Sequence, residues 1–240
     1  MIHASNGRFE SFVEAASQMH SALVYDADHA QERIFSDRDN SSQLQHLYNT
    51  LQSDFAHGGK AYWSMRCWQL LYWQPVFLSV ASVHCCQGAL KLESLEQRVM
   101  NNSVWGYSFA QPEITPLPEE QLIHKAGEQL RVLCEHLFEQ LSQITKIKRL
   151  TAFRLVADGV LKALVRFHAI SSNSSHENTM TLSHHWLSAM GLEDQSQLLL
   201  QESSGLVVQR KACCMHYLID ADDICGNCPK HRTTKVCRSH

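Results

Sequence analysis

Four cysteines near the C-terminus form the pattern in this sequence that is best suited to chemistry. Cys213 and Cys214 are adjacent, and Cys225 and Cys228 follow after a ten-residue spacer. The residues inside the second pair are glycine and asparagine, which tolerate a positive φ, so a tight turn is expected there. Thiolates are soft ligands that select zinc, copper(I) or iron–sulfur clusters. Four of them complete a zinc site, a [2Fe–2S] cluster or a [4Fe–4S] cluster.

The adjacent pair discriminates only in part between these metal centres. Neighbouring side chains in extended backbone point to opposite sides, which is awkward around one tetrahedral zinc ion. A two-iron cluster offers separate metal atoms and accommodates divergent ligands more easily. Spacing alone therefore favours an iron–sulfur cluster and leaves open a zinc site, a redox-active vicinal pair or unmetallated thiols. The zinc alternative has further candidate ligands in His216, His231, Cys237 and His240.

The remaining cysteines lack such a pattern. Cys85 and Cys86 form a second adjacent pair, but they follow a strongly apolar stretch and have no other cysteine pair nearby. Cysteine is among the most frequently buried residues, so these two are predicted to lie in the core, together with Cys67 and Cys134. Cys237 is expected to be dispensable.

The composition narrows the class of protein. With 21 Lys and Arg against 24 Asp and Glu, the formal net charge of −3 gives no reason to expect a nucleic-acid-binding protein. The most apolar stretch, residues 68–83, is too short to span a bilayer, and Pro75 interrupts it, so a protein that is not transmembrane is expected. The N-terminus lacks the pattern of a signal peptide, which favours a cytoplasmic protein with reduced thiols. Nine cysteines in that setting point to metal or redox chemistry.

The elements that must position the cysteines are mainly helical. Apolar residues recur at three- and four-residue spacing in four segments: 9–87 with a break at 57–59, 122–144, 150–169, and a short helix from 181 that ends at Gly191. Residues 90–110 predict a β-hairpin turning at Asn101 and Asn102, and residues 171–178 predict a polar loop.

The expected fold is therefore mainly α. A helical body at 1–204 carries one small β-hairpin, and a cysteine-rich segment follows at 205–240. Neither a G-x-G-x-x-G pattern nor a P-loop occurs, so the sequence offers no nucleotide-binding site of its own.

The stretch QRKACCMHYLIDADDICGNCP, residues 209–229, resembles the C-terminal signature of the FhuF-like ferric siderophore reductases, C-C-x10-C-x2-C followed by proline. Arg210 and Lys211 match the basic lead-in of that signature, and Pro229 matches its proline. The spacer differs from the family, because Asp220, Asp222 and Asp223 stand where a glycine-rich run is more typical.

The resemblance implies that the four cysteines of the signature hold a [2Fe–2S] cluster. It further implies an enzyme that passes one electron to a ferric siderophore and releases Fe²⁺. An external electron donor is then needed: a ferredoxin, a flavoprotein or a small reductant. Such chemistry needs no general acid, base or nucleophile, and none is assigned.

A surface that binds a bulky iron chelate is expected to offer aromatic and cationic groups. The candidates are Trp105 and Tyr107 on the hairpin, His216 and Tyr217 beside the cysteines, and the row Arg154, Lys162 and Arg166 on helix 150–169. Each has a simpler explanation: hairpin packing for the first two, a structural or cluster-tuning role for His216, and a solvated helix face for the row. The aromatic residues Trp63, Trp68, Tyr72 and Trp73 are predicted to lie in the core.

Two other functions compete with a reductase. A zinc-stabilised helical domain would bind a protein partner without redox activity. An electron-transfer or cluster-sensing module would hold the cluster without reducing a ferric chelate.

Overall fold

The computed structural model describes residues 2–26, 32–172, 174–201, 204–220 and 224–230. Within these ranges the α-helices are α1 (Ile2–Met19), α2 (Ser41–Asp54), α3 (Gly59–Cys86), α4 (Glu119–Ile144), α5 (Arg149–Ile170) and α6 (His176–Ala189). The strands are β1 (Arg33–Phe35), β2 (Gly88–Leu90), β3 (Leu95–Met100), β4 (Ser103–Phe109), β5 (Ile114–Pro116), β6 (Gln197–Gln201) and β7 (Gly205–Gln209). The prediction of a mainly α protein is confirmed.

Helix α3 is the centre of the core. It is apolar on almost every side, which is the pattern of a helix surrounded by protein, and it packs against α1, α2, α4 and α5. Trp68 is fully buried, and its indole Nε1 donates to the carbonyl of Ala152 on α5 at 2.8 Å. Trp63 and Tyr72 are also buried, as predicted, whereas Trp73 is half-buried at the edge of the core.

The predicted hairpin is strands β3 and β4, which turn at Asn101 with φ 52°. Strand β1 adds a third strand, antiparallel to β3, with Arg33 opposite Arg98. The expectation of helical periodicity was wrong at β1. A three-residue strand is too short to show a period, and its pairing depends on residues 61 to 65 positions away.

Two further antiparallel pairs lie outside the predicted hairpin. Strand β2 pairs with β5, and β6 pairs with β7. The β6–β7 pairing crosses position 204, where a boundary between the body and the cysteine segment was predicted, and that boundary stays a prediction. No helix in the described ranges is both long and apolar enough to cross a membrane.

Helix α6 begins earlier than predicted, at His176 instead of within the segment after 180. The hydroxyl of Ser175 accepts a hydrogen bond from the backbone N–H of Asn178 at 3.0 Å and caps the helix N-terminus. The predicted polar loop therefore ends at Ser175.

Candidate metal centre

Strand β7 and two tight turns bring the four motif cysteines together. After β7, the chain passes Cys213 and Cys214 and reverses at Met215, which has a left-handed φ of 63°. The second turn is closed by the backbone N–H of Cys228, which donates to the carbonyl of Cys225 at 2.8 Å.

The second turn differs from the expectation in its backbone. Neither Gly226 nor Asn227 has a positive φ, because a turn closed by this hydrogen bond is compatible with ordinary backbone angles. Asn227 instead anchors the turn, since its side-chain Nδ2 donates to the carbonyl of Val208 on β7 at 3.1 Å.

The thiols are arranged as two pairs. The Sγ atoms of Cys214 and Cys225 are 3.5 Å apart. Cys228 lies close enough to Cys213 to help raise the pKa of the Cys213 thiol. The adjacent cysteines thus diverge, and each meets one member of the Cys-x-x-Cys pair.

The adjacent thiols Cys213 and Cys214 have different hydrogen-bond donors. The backbone N–H of Met215 lies 3.4 Å from Sγ of Cys213, and Nη1 of Arg210 lies 3.7 Å from Sγ of Cys214. Burial by itself would raise the pKa of Cys214, but the backbone N–H of His216 and the charge of Arg210 outweigh it and lower that pKa. Burial raises the pKa of Cys213. Negative charge is therefore stabilised most strongly at Cys214.

A buried carboxylate holds Arg210 in this position. Oδ2 of Asp158 on α5 lies 3.1 Å from Nε of Arg210, and Oδ1 accepts a hydrogen bond from the hydroxyl of Ser196 at 2.6 Å. Burial raises the pKa of Asp158, although the hydrogen bond from Ser196 and the charge of Arg210 act to lower it. Asp158 was not among the site residues predicted from the sequence. The available signal was one acidic residue inside the apolar run of α5.

His216 and Tyr217, the residues predicted beside the cysteines, lie in a short helical turn directly after Met215. His216 is half-buried, with its ring centroid 6.4 Å from that of Tyr62 on α3. Nζ of Lys230 lies over the ring of Tyr217, 3.4 Å from the ring centroid. Asp220 is exposed. Five other residues named from the sequence lie outside the described ranges: Asp222, Asp223, His231, Cys237 and His240.

The two hairpin residues predicted as substrate contacts, Trp105 and Tyr107, lie in different environments. Tyr107 is fully buried, with its ring 6.2 Å from that of Phe12, so it offers no surface to a solute and is removed from the candidate substrate contacts. Trp105 is half-buried, and the guanidinium of Arg98 lies 5.0 Å from its ring centroid.

The three residues of the predicted cationic row also have different surroundings. Arg154 donates to the side chain of Gln195 at 3.3 Å, and Arg166 donates to the carbonyl of Met19 at the end of α1 at 2.9 Å. Lys162 lies close enough to the thiols for the charges of Cys225 and Cys214 to act on it. Its pKa is lowered by desolvation and then by Arg210, while Cys225 and Cys214 act in the opposite direction.

Within the described ranges, burial raises the pKa of every cysteine outside the motif, which makes these thiols poor ligands. Cys67 and Cys134 are fully buried as predicted, and burial raises the pKa of each to about 12. The prediction of a core position was wrong for Cys85, which is exposed because it lies in the last turn of α3. Cys86 is half-buried there, and its pKa is raised to about 11, mainly by burial.

The donor set fits a two-iron cluster. Within the described ranges, no group of three or more His, Cys, Asp or Glu side chains is close enough to hold a single metal ion. The four thiols instead form two pairs, and a [2Fe–2S] cluster takes two thiolates at each of its two metal atoms. The donors directed at sulfur suit thiolates that carry negative charge.

Comparison with known proteins agrees with this geometry. No solved structure matches the chain. Residues 210–230 match the family model described as the FhuF 2Fe-2S C-terminal domain. That range begins at Arg210 and spans all four cysteines of the two pairs. The chain therefore carries, at residues 210–230, a FhuF-type C-terminal domain, whose cofactor is a [2Fe–2S] cluster.

Proposed function

We propose that this protein is a ferric siderophore reductase, which delivers one electron to the Fe³⁺ of a bound siderophore. The observation that supports this proposal is the arrangement of four thiols in two pairs within a FhuF-type segment. Cys213, Cys214, Cys225 and Cys228 are the proposed ligands. Cys214 and Cys225 would hold one iron, and Cys213 and Cys228 the other.

The protein has three tasks in such a reaction. The four thiolates retain the cofactor, and Arg210 with the N–H groups of Met215 and His216 stabilises negative charge on two of them. Asp158 keeps Arg210 oriented. When bound, a [2Fe–2S] cluster supplies one-electron transfer at a potential set by such hydrogen bonds, by charge and by exposure.

This reaction needs a substrate that accepts one electron and a partner that supplies it. Siderophores surround iron with hard oxygen donors, which suit Fe³⁺ well and Fe²⁺ poorly. One electron converts the ferric complex into a weaker ferrous complex, from which Fe²⁺ dissociates. That electron comes from an external donor, either a ferredoxin, a flavoprotein or a small reductant. We further propose that the protein works in the cytoplasm, because reduced cysteines persist there.

A spectroscopic experiment tests the cofactor. Protein purified in air is expected to be red-brown and to bleach on reduction, with an EPR signal in the reduced state. Serine at any of positions 213, 214, 225 and 228 should remove the colour. Cys85→Ser is the matched control, because this exposed thiol lies outside the motif and should leave the spectrum unchanged. Colourless protein with stoichiometric zinc would overturn the proposal in favour of a zinc-stabilised interaction domain.

A single-turnover experiment tests the reaction. Pre-reduced protein mixed with a ferric siderophore and a ferrous chelator should release about one Fe²⁺ per cluster, because a [2Fe–2S] cluster transfers single electrons. Coloured protein that releases no Fe²⁺ from any siderophore would indicate an electron-transfer or sensing module.

A further inference from the structure

A cavity of about 780 Å³ lies on the side of α3 and α5 that carries Tyr72 and Lys162. Helices α3 and α5, the turn after α1 and the β3–β4 hairpin form its walls. This volume is in the range of small-molecule sites, roughly 300–1,000 Å³. The cavity is open to solvent, so a bulky solute can enter it without rearrangement of the core.

The walls combine aromatic rings with cations. Trp73 and Trp105 are half-buried and line the cavity, together with the side chains of Arg66 and Lys162. No aspartate or glutamate is among the described residues that line it. Neither Arg66 nor Lys162 forms an ion pair within the described part of the chain, so both charges are available to a ligand.

Three lining residues connect the cavity to the thiols. The ring of Tyr72 packs closely on Gly159, where an added Cβ would lie 2.9 Å from Cε2 of the tyrosine. The residue before Gly159 is Asp158, which pairs with Arg210 and so leads to Cys214. Lys162 also lines a second groove, whose other wall includes Gly226 of the Cys-x-x-Cys turn.

Charge interactions also link the lining residues to the thiols. Burial raises the pKa of Tyr72, and Asp158 and Cys214 add to that rise. The charges of Cys225 and Cys214 likewise act on Lys162. Two lining residues, Tyr72 and Lys162, are therefore within electrostatic range of the thiols.

We propose that this cavity is the binding site for the ferric chelate and that it selects chelates with a net negative charge, such as those of catecholate or carboxylate siderophores. This inference rests on the proposed function. The two tryptophans supply flat apolar surface for the organic part of the chelate. Arg66 and Lys162 supply charge-assisted hydrogen bonds to its oxygens.

Binding can be measured without electron transfer by using gallium(III), which replaces Fe³⁺ in these chelates and is not reduced. Calorimetry of the cluster-loaded protein with a trianionic gallium tris-catecholate should show tighter binding than with an uncharged gallium trihydroxamate. Arg66→Gln and Lys162→Gln are each expected to weaken binding of the trianion about tenfold, as for loss of one hydrogen bond to a charged group.

Two further variants separate the cavity from general surface charge. Arg154→Gln removes an equal charge from the same helix as Lys162 but lies outside the cavity, so it should leave the affinity unchanged. Ala22→Trp adds a bulky ring to the cavity lining without changing charge and should weaken binding of both gallium chelates. The visible spectrum of each variant verifies that the cluster is intact.

The outcomes distinguish this inference from the proposed function. Equal affinity of the parent for the charged and uncharged chelates would overturn the charge preference. Equal losses in Arg154→Gln and Lys162→Gln, or no loss in Ala22→Trp, would overturn the site. Failure of the proposed function would instead appear as absent Fe²⁺ release with binding in the cavity unaffected.

Discussion

Nε of Arg210 lies 3.1 Å from Oδ2 of Asp158, and both side chains are almost completely buried. The same guanidinium reaches Sγ of Cys214 at 3.7 Å with its Nη1. A buried ion pair contributes little net stability, but it fixes the position of a charge. Here the charge is fixed beside one thiolate of the proposed cluster, and this asymmetry has measurable consequences.

Replacing Arg210 should lower the reduction potential of the cluster. The reduced state carries one more negative charge, so a nearby guanidinium stabilises it. Arg210→Gln is expected to lower the midpoint potential by on the order of 60 mV, the one-electron equivalent of about 1.4 kcal/mol. Redox titration followed by visible absorbance measures this shift. Lys211→Gln removes an exposed neighbouring charge as the control and should have a much smaller effect. Equal shifts in the two variants would contradict the role of Arg210.

Met215 is expected to be sensitive to branching at Cβ. Its φ of 63° is costly for any residue with a Cβ and most costly for a β-branched one. Met215→Ile should destabilise the folded protein by about 1–2 kcal/mol and reduce cluster content, because both adjacent N–H donors to sulfur depend on this turn. Thermal unfolding and iron analysis measure both effects. Met215→Leu keeps a similar volume without a branch at Cβ. A loss of stability as large as that of Met215→Ile would refute the backbone explanation.

The metal centre was predictable because its information is local. Residue types and a spacing of ten and two positions identified the four thiols, and the adjacent side chains diverge as expected. Asp158 was not predictable in this way. Its contact with Arg210 spans 52 positions, and only the packing of α5 against β7 creates it.

The hairpin shows why surface contacts were harder to assign. Trp105 and Tyr107 are two positions apart and should share one face of a regular strand. Gly106 between them has a φ of 87°, and the register with β3 shifts between Gln97 and Val99. The alternation fails at this irregularity, so Tyr107 enters the core while Trp105 stays at the cavity.

His84 should make the folded protein less stable in acid. Burial lowers its pKa from 6.5 to about 4, and its Nε2 accepts a hydrogen bond from Nε1 of Trp186 at 2.9 Å. Because the folded-state pKa is depressed, the unfolded chain binds the proton first. Stability should fall as pH drops from about 6.5 towards 4, by about 3 kcal/mol from this group.

Denaturant unfolding at several pH values tests this role of His84. His84→Gln retains an acceptor for Trp186 but does not titrate, so the fall in stability over this range should become shallower. Phe167→Leu removes the ring stacked 5.0 Å from His84 yet keeps the histidine, and it should retain a slope closer to that of the parent. An unchanged slope in His84→Gln would assign the acid sensitivity to other groups.

Gly127 is predicted to be essential for the contact between α4 and α6. A Cβ added there would lie 2.6 Å from Cβ of Ala189 and 3.2 Å from its carbonyl carbon, so backbone would have to move. Gly127→Ala should therefore destabilise the protein by about 1–3 kcal/mol despite the higher helix propensity of alanine. Gly7→Ala is the matched control, because Gly7 lies in α1 with no atom near an added Cβ, and it should be neutral or slightly stabilising. Chemical denaturation of the two variants compares helix propensity with close packing directly. A gain in stability for Gly127→Ala would show that the two helices can separate at little cost.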